Sequence, residues 1–178
     1  MSIALEVRGV RKRYIAGDGN CVASANVLRG IDLTVRCGDA IAIIGAAGAG
    51  KSTLMLCLAG LLRVDAGDIE WFGERDRALA ARRAVYHVAR TDLLRAGAAG
   101  DAHVHLVDLP ADVLAGAHVR TWIAGRRAAG DAIVVGAREA DSVADVTTRM
   151  VELRGGVLRP HVRAATRVAE GFARAQIC

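Results

Sequence analysis

The sequence predicts an α/β fold: a mostly parallel sheet carrying helices, with an antiparallel set of strands added at the N-terminus. Three observations carry that expectation. Residues 40–44 (AIAII) and 132–136 (AIVVG) are apolar runs of strand length with no polar residue, the signature of strands buried on both faces. Strand-like and helix-like stretches alternate through the second half of the chain, whereas the first 35 residues hold strand patterns alone. A Gly-rich segment, residues 45–52 (GAAGAGKS), joins the first apolar run to a helix-like stretch.

Residues 3–7 alternate apolar and polar and read as the first strand. Residues 17–26 (GDGNCVASAN) are polar and Gly-bearing, so a loop is expected there. A second strand resumes over 27–35 on Leu28, Ile31, Leu33 and Val35. From Lys51 to Leu62 the chain is apolar and uninterrupted until Gly60, which predicts a helix ending near that glycine. Residues 68–72 form a strand stopped by Gly73, and 76–83 a short helix. Strands follow over 85–88 and 103–107, and 111–129 has helical length. Residues 150–153 and 157–158 flank Gly155-Gly156 as a hairpin. From Pro160 to the end a helix is expected, with Arg163, Arg167 and Arg174 on its polar face, capping the core. The whole chain, 1–178, reads as a single domain in four parts: 1–74, a short middle 75–102, a second strand–helix half 103–160, and the terminal helix 161–178.

Composition narrows the function. The 178 residues are 53% hydrophobic and 24% charged, with 20 Gly against 2 Pro, which excludes collagen-like, Pro-rich and acidic disordered chains. A domain of this size buries about 70% of its unfolded surface and needs no disulfide staple. The four cysteines have no CxxC spacing and read as reduced thiols of a cytoplasmic protein, with Cys57 a core residue. No signal peptide is expected from residues 1–14, and the longest uncharged apolar run, 40–50, is too short to cross a bilayer. The net charge of +5 comes from scattered arginines with few aromatics between them, so no nucleic-acid partner is expected. His103 and His105 alternate on one strand without a set of four ligands, and read as strand residues rather than a metal pair. Trp71 and Trp122 read as packing residues.

GAAGAGKS matches G-x-x-x-x-G-K-[ST], and this composition produces that pattern by chance on the order of once in a thousand chains. Its setting, between a buried strand and a helix, is the one the chemistry requires. Gly45, Ala46, Ala47, Gly48, Ala49 and Gly50 would turn backbone N–H groups toward a phosphate, at the positive end of a helix dipole. Lys51, one of only two lysines beside Lys12, supplies a compact cation to the outer phosphates. The Ser52 hydroxyl suits Mg²⁺, and Thr53 follows it.

Residues 26–74 (NVLRGIDLTVRCGDAIAIIGAAGAGKSTLMLCLAGLLRVDAGDIEWFGE), together with GVRKRY before them, resemble the start of an ATP-binding-cassette (ABC) transporter ATPase. That resemblance implies a P-loop NTPase core with ATP and Mg²⁺ as cofactors. It implies that Tyr14 stacks on adenine. HVHLVDLP, residues 103–110, resembles the Walker B strand, with Asp108 as a carboxylate for the metal beside Ser52. AIVVGARE resembles the strand before the switch histidine, and SVADVTTRMVELRGGVL the final strands. The family also implies a second cassette subunit, in a homodimer or heterodimer, and a membrane permease. Its place would be cytoplasmic, at most peripheral at the inner face of a membrane.

The departures are equally specific. Lys51 and Asp108 lie about half as far apart as in the family, so the helical subdomain and its LSGGQ-type signature are expected to be missing. Leu109 stands where the resemblance places the catalytic glutamate, and Arg138 where it places the switch histidine. Arg90 falls at the glutamine of its glutamine loop, and Ala115 at an aspartate. The phosphate cradle is thus kept while the hydrolytic groups are replaced. Arg90 and Arg138, facing a nucleotide, would supply part of the charge that Mg²⁺ otherwise brings. The expectation is an ATP-binding protein with weak or absent intrinsic hydrolysis. The alternatives are an active ATPase subunit completed by a partner cassette, and a small P-loop kinase using Arg90, Arg95, Arg126 and Arg127. No NKxD motif supports a GTPase.

Overall fold

The computed structural model describes residues 2–17, 22–88, 103–114 and 116–161. Strands β1 (Ile3–Gly17) and β2 (Val22–Arg36) pair antiparallel from Ile3↔Arg36 to Gly17↔Val22. Residues 22–26, expected in a loop, therefore belong to β2. Ser24, Ala25 and Asn26 are exposed at that end of the ribbon, so their polarity is no obstacle to pairing. Strand β4 (Ala66–Trp71) adds to the other edge of β1, giving the order β2-β1-β4. The N-terminal antiparallel sheet is thus as expected, with longer strands.

The second sheet has six strands in the order β5-β6-β7-β3-β8-β9. Its members are β3 (Ala40–Ile44), β5 (Ala84–His87), β6 (Val104–Val107), β7 (Ala132–Ala137), β8 (Arg149–Arg154) and β9 (Val157–Pro160). All neighbours are parallel except the β8/β9 hairpin. Gly155 and Gly156, both at positive φ, make the two-residue turn between those strands. Pro160, expected to begin a helix, is instead the end of β9, paired with Val151. The expected C-terminal helix otherwise lies outside the described residues.

Period-two alternation sorts the buried strands into two cores. Ile41, Ile43, Ala132, Val134, Val104 and Leu106 face one, shared with the antiparallel sheet and helix α1 (Lys51–Leu58). Ala40, Ala42, Ile44, Ile133, Val135 and Val107 face the other, covered by α3 (Ala111–Leu114) and α4 (Ala117–Ala128). Helix α1 stops at Leu58, with Gly60 at φ +70, so residues 61–62 are not helical. Leu54, Met55, Cys57 and Leu58 are buried on it, and the Trp71 indole donates to the Leu58 carbonyl at 2.8 Å. Helix α2 (Arg77–Arg83) is capped by Asp76, whose carboxylate accepts from Ala78 N–H at 2.8 Å. The single helix expected over 111–129 is two, separated around Gly116, which is extended at φ −68, ψ 134.

Only residues 88–103 join β5 to β6. A link of that length is too short for a separate helical subdomain.

Candidate functional site

The GAAGAGKS segment leaves the C-terminal end of β3 and enters α1, beside the ends of β6 and β7. Crevices at the carboxyl ends of parallel strands are where open α/β sheets bind ligands. Gly48 and Gly50 are at φ +76 and +99, a region that side chains with a Cβ disfavour. Gly45 is needed for space: a Cβ there would lie 2.8 Å from the Leu153 carbonyl oxygen. Gly50 is the N-cap of α1 and offers no side-chain cap. The first N–H groups of the helix are left to the cleft.

A cleft of about 670 Å³ opens there. Ala47, Gly48, Lys51 and Ser52 line one side of it, Asp108 and Leu109 another, and Gly136, Ala137 and Arg138 a third. The Lys51 ammonium donates to the Gly45 and Ala46 carbonyls at 2.7 and 2.9 Å. Partial burial lowers its pKa from the ordinary lysine value; Asp108 opposes that shift and Arg138 adds to it. Asp108 accepts at Oδ2 from the Tyr86 hydroxyl at 3.0 Å. Burial first, and then the Asp108 charge, push the Tyr86 phenol up to about 12. The donor set fits Mg²⁺: a hydroxyl on Ser52 and a carboxylate on Asp108 are hard oxygen ligands on one cleft, open to water.

The structure thus brings together Gly48, Lys51, Ser52, Asp108, Leu109 and Arg138. Tyr14 stands outside this lining, 43% exposed on β1, its hydroxyl 3.4 Å from Thr53 Oγ1 on the first turn of α1. Leu109 packs into the second core at 6% exposure and offers no polar atom. Arg126 and Arg127 correct the kinase alternative. Arg126 Nη2 pairs with Asp131 Oδ2 at 2.6 Å, and Arg127 Nε donates to the Gly38 carbonyl at 3.3 Å. Both sit at the amino ends of the strands, across the sheet from the cleft. Arg90, Arg95 and Ala115 lie outside the described residues.

One cleft residue and one residue behind the cleft escape the sequence reading. Asp112, on α3, adds a second carboxylate to the lining; the Asp-x-x-x-Asp spacing after the β6 strand could have flagged it. Tyr86 reaches Asp108 only through the pairing of β5 with β6, so no local signal announces it.

The fold and cleft define a P-loop α/β domain with an added antiparallel sheet. The family model described as ABC transporter matches residues 28–120, and the chain belongs to that family. It is 47% identical over 92 residues to the lipoprotein-releasing system ATP-binding protein LolD of Ruegeria sp. That match covers 51% of this chain and 38% of that protein. With the macrolide export ATP-binding/permease protein MacB of Nitrosomonas europaea, identity is 40% over 104 residues, covering 51% and 15% respectively. The chain therefore spans well under half the length of these relatives. Among solved structures, an ATP-binding subunit of an ABC transporter superposes with TM-score 0.62 at 16% identity, covering 87% of this chain and 88% of the other. A dimeric ATP-binding cassette in a post-hydrolysis state, bound to ADP and Pi, gives 0.63 at 13%, covering 86% and 96%. These likenesses establish the fold. No described helix is long and apolar enough to cross a membrane.

Proposed function

We propose that this chain is a nucleotide-binding subunit that holds MgATP in the Lys51–Asp108–Arg138 cleft and hydrolyses it slowly or not at all. The observation that carries the reading is a phosphate cradle facing a position, Leu109, that is apolar and buried. Phosphoryl transfer to water needs an oriented nucleophile as well as neutralised phosphate charge. The 45–50 backbone and the α1 N-terminus would hold the phosphates, and Lys51 would exchange its two carbonyl partners for the outer phosphate oxygens. Ser52 and Asp108 would hold Mg²⁺, which would supply neutralisation of the charge on the phosphate oxygens. Arg138 would contact the terminal phosphate with a permanent charge that an imidazole lacks. Tyr14, exposed beside Thr53, would stack on adenine. Such a subunit would work on the cytoplasmic side, paired with a second cassette. A permease partner would need a docking surface other than a helical subdomain.

A second reading, an ATPase completed by a partner cassette, is favoured by Asp112, a carboxylate in the same cleft that could orient water. One experiment separates the two. Thermal unfolding is followed with saturating ATP and Mg²⁺, for the wild type and Lys51→Ala, alongside phosphate release. Ligand at 100 times its Kd adds about 2.7 kcal/mol, a rise of about 5 °C or more for a chain this long. The expected result is a rise for the wild type alone, with no turnover. Turnover that appears only when a complete cassette protein is added, and is lost in Asp112→Asn, would establish the second reading. No rise in the folded wild type would end both.

A further inference from the structure

The Asp108 carboxylate is bonded on one side and open on the other. On one, Tyr86 of β5 donates its hydroxyl to Oδ2 at 3.0 Å. On the other lies Gly136 of β7, where a Cβ would stand 3.4 Å from Asp108 Oδ1 and 2.9 Å from Met55 Cε. A Cβ there would be in ordinary contact with the carboxylate and would press on the Met55 methyl. The backbone is fixed as well: Asp108 N–H donates to the His87 carbonyl at 2.9 Å. His87, next to Tyr86, is buried, with Nε2 3.0 Å from His105 Nδ1. The phenol is therefore carried on a strand anchored one residue further on. A carboxylate's terminal torsion is soft and nearly two-fold, so without a partner either oxygen can turn toward the cleft.

We propose that Tyr86 is a positioning residue: its hydroxyl retains Oδ2 of Asp108, so that Oδ1, on the open Gly136 side, is the oxygen presented to the divalent cation accompanying a bound nucleotide. The inference rests on the MgATP reading above. Tyr86 itself touches neither metal nor nucleotide. Outer partners of metal-ligating carboxylates act in this way, and their loss weakens metal affinity by about 10- to 100-fold.

The test is Tyr86→Phe, which keeps the ring and removes the hydroxyl. ATP affinity is measured by calorimetry in Mg²⁺ and in EDTA, together with the unfolding temperature of the free protein. The ratio of the two affinities, the Mg²⁺ gain, is the readout. In EDTA the variant binds within about twofold of the wild type. Its Mg²⁺ gain falls about tenfold. On an Asp108→Ala background the same substitution leaves the remaining Mg²⁺ gain unchanged. An unchanged gain in the single variant overturns the proposal. So does an equal loss in Mg²⁺ and EDTA, which is what a merely structural tyrosine would give. A wild type that binds ATP in neither condition fails the MgATP reading itself and takes this inference with it.

Discussion

Replacing Asp131 by Asn tests a buried, multiply hydrogen-bonded polar group among the described residues. Asp131 precedes β7 and is 2% exposed. It accepts from Arg126 Nη2 at 2.6 Å and from the His103 N–H at 2.7 Å, with His105 Nε2 at 3.3 Å. Arg126 Nε also donates to His105 Nε2 at 3.2 Å. The Trp122 ring meets both imidazoles edge-on, at 5.3 and 5.0 Å between centroids. An amide keeps the shape of the carboxylate but not its charge, and turns an NH₂ toward donors. Removing one member of a buried pair costs about 3–5 kcal/mol. The Arg126 side chain retains 14% exposure, which favours the low end of that range. For a chain of this length about 3 kcal/mol lowers Tm by roughly 6–12 °C at pH 7. Circular dichroism melts over pH supply a second arm. Burial, and then His87, lower His105 from 6.5 to about 4, with Asp131 opposing. Between those values the unfolded chain binds more protons than the folded one, so stability falls as pH drops from about 6.5 to about 4. A loss below about 2 °C in Asp131→Asn, or a wild-type Tm that stays flat through that pH window, refutes the reasoning.

Three further outcomes follow from backbone conformation and burial elsewhere. Gly50→Ala places a Cβ 2.7 Å from Val27 Cγ1 at φ +99, so both strain and overpacking act; urea midpoints should show a loss of about 2 kcal/mol or more. Gly9→Ala, at φ +59 in open space, should lose only about 1 kcal/mol. Cys57 is 1% exposed and burial pushes its thiol up to about 11. Mass-mapped alkylation at neutral pH should therefore label the half-buried Cys37 in the native protein and Cys57 only in denaturant.

The parallel sheet was legible because residues 40–44 and 132–136 admit one reading: two-sided burial leaves no room for polar residues. The loop–helix unit at 45–58 was legible because Gly48, Gly50 and Lys51 each answer a stated requirement of a phosphate cradle. Strand ends were not. Nothing local makes Ser24 and Asn26 strand residues; their pairing with β1, 26 and 13 opposed across the ribbon, does. The break between α3 and α4 was missed because Ala-rich sequence supports one long helix as readily as two. The His87–His105–Asp131–Arg126 cluster joins residues from β5, β6, the turn before β7 and α4. Its members are distant in the chain, so only topology assembles them. His105 looked like an ordinary strand residue, and the sequence held no sign of its three polar neighbours.

The same non-local logic governs the charge of the cleft. Lys51 and Arg138 bring two cations to the lining, and Asp108 and Asp112 bring two carboxylates. The described lining alone therefore offers no net positive charge to a triphosphate, which carries several negative ones. Backbone N–H groups and the α1 dipole add partial charge, but within one helical turn. A divalent cation on Ser52 and Asp108 changes that balance most where it is needed, because it cancels a carboxylate and phosphate charge together. On this reading the metal completes the phosphate site electrostatically. The orientation of Asp108 then matters for nucleotide binding even where no hydrolysis follows. This is why a tyrosine behind a carboxylate, and not a group touching the phosphates, is the residue whose removal should separate metal-dependent from metal-free binding.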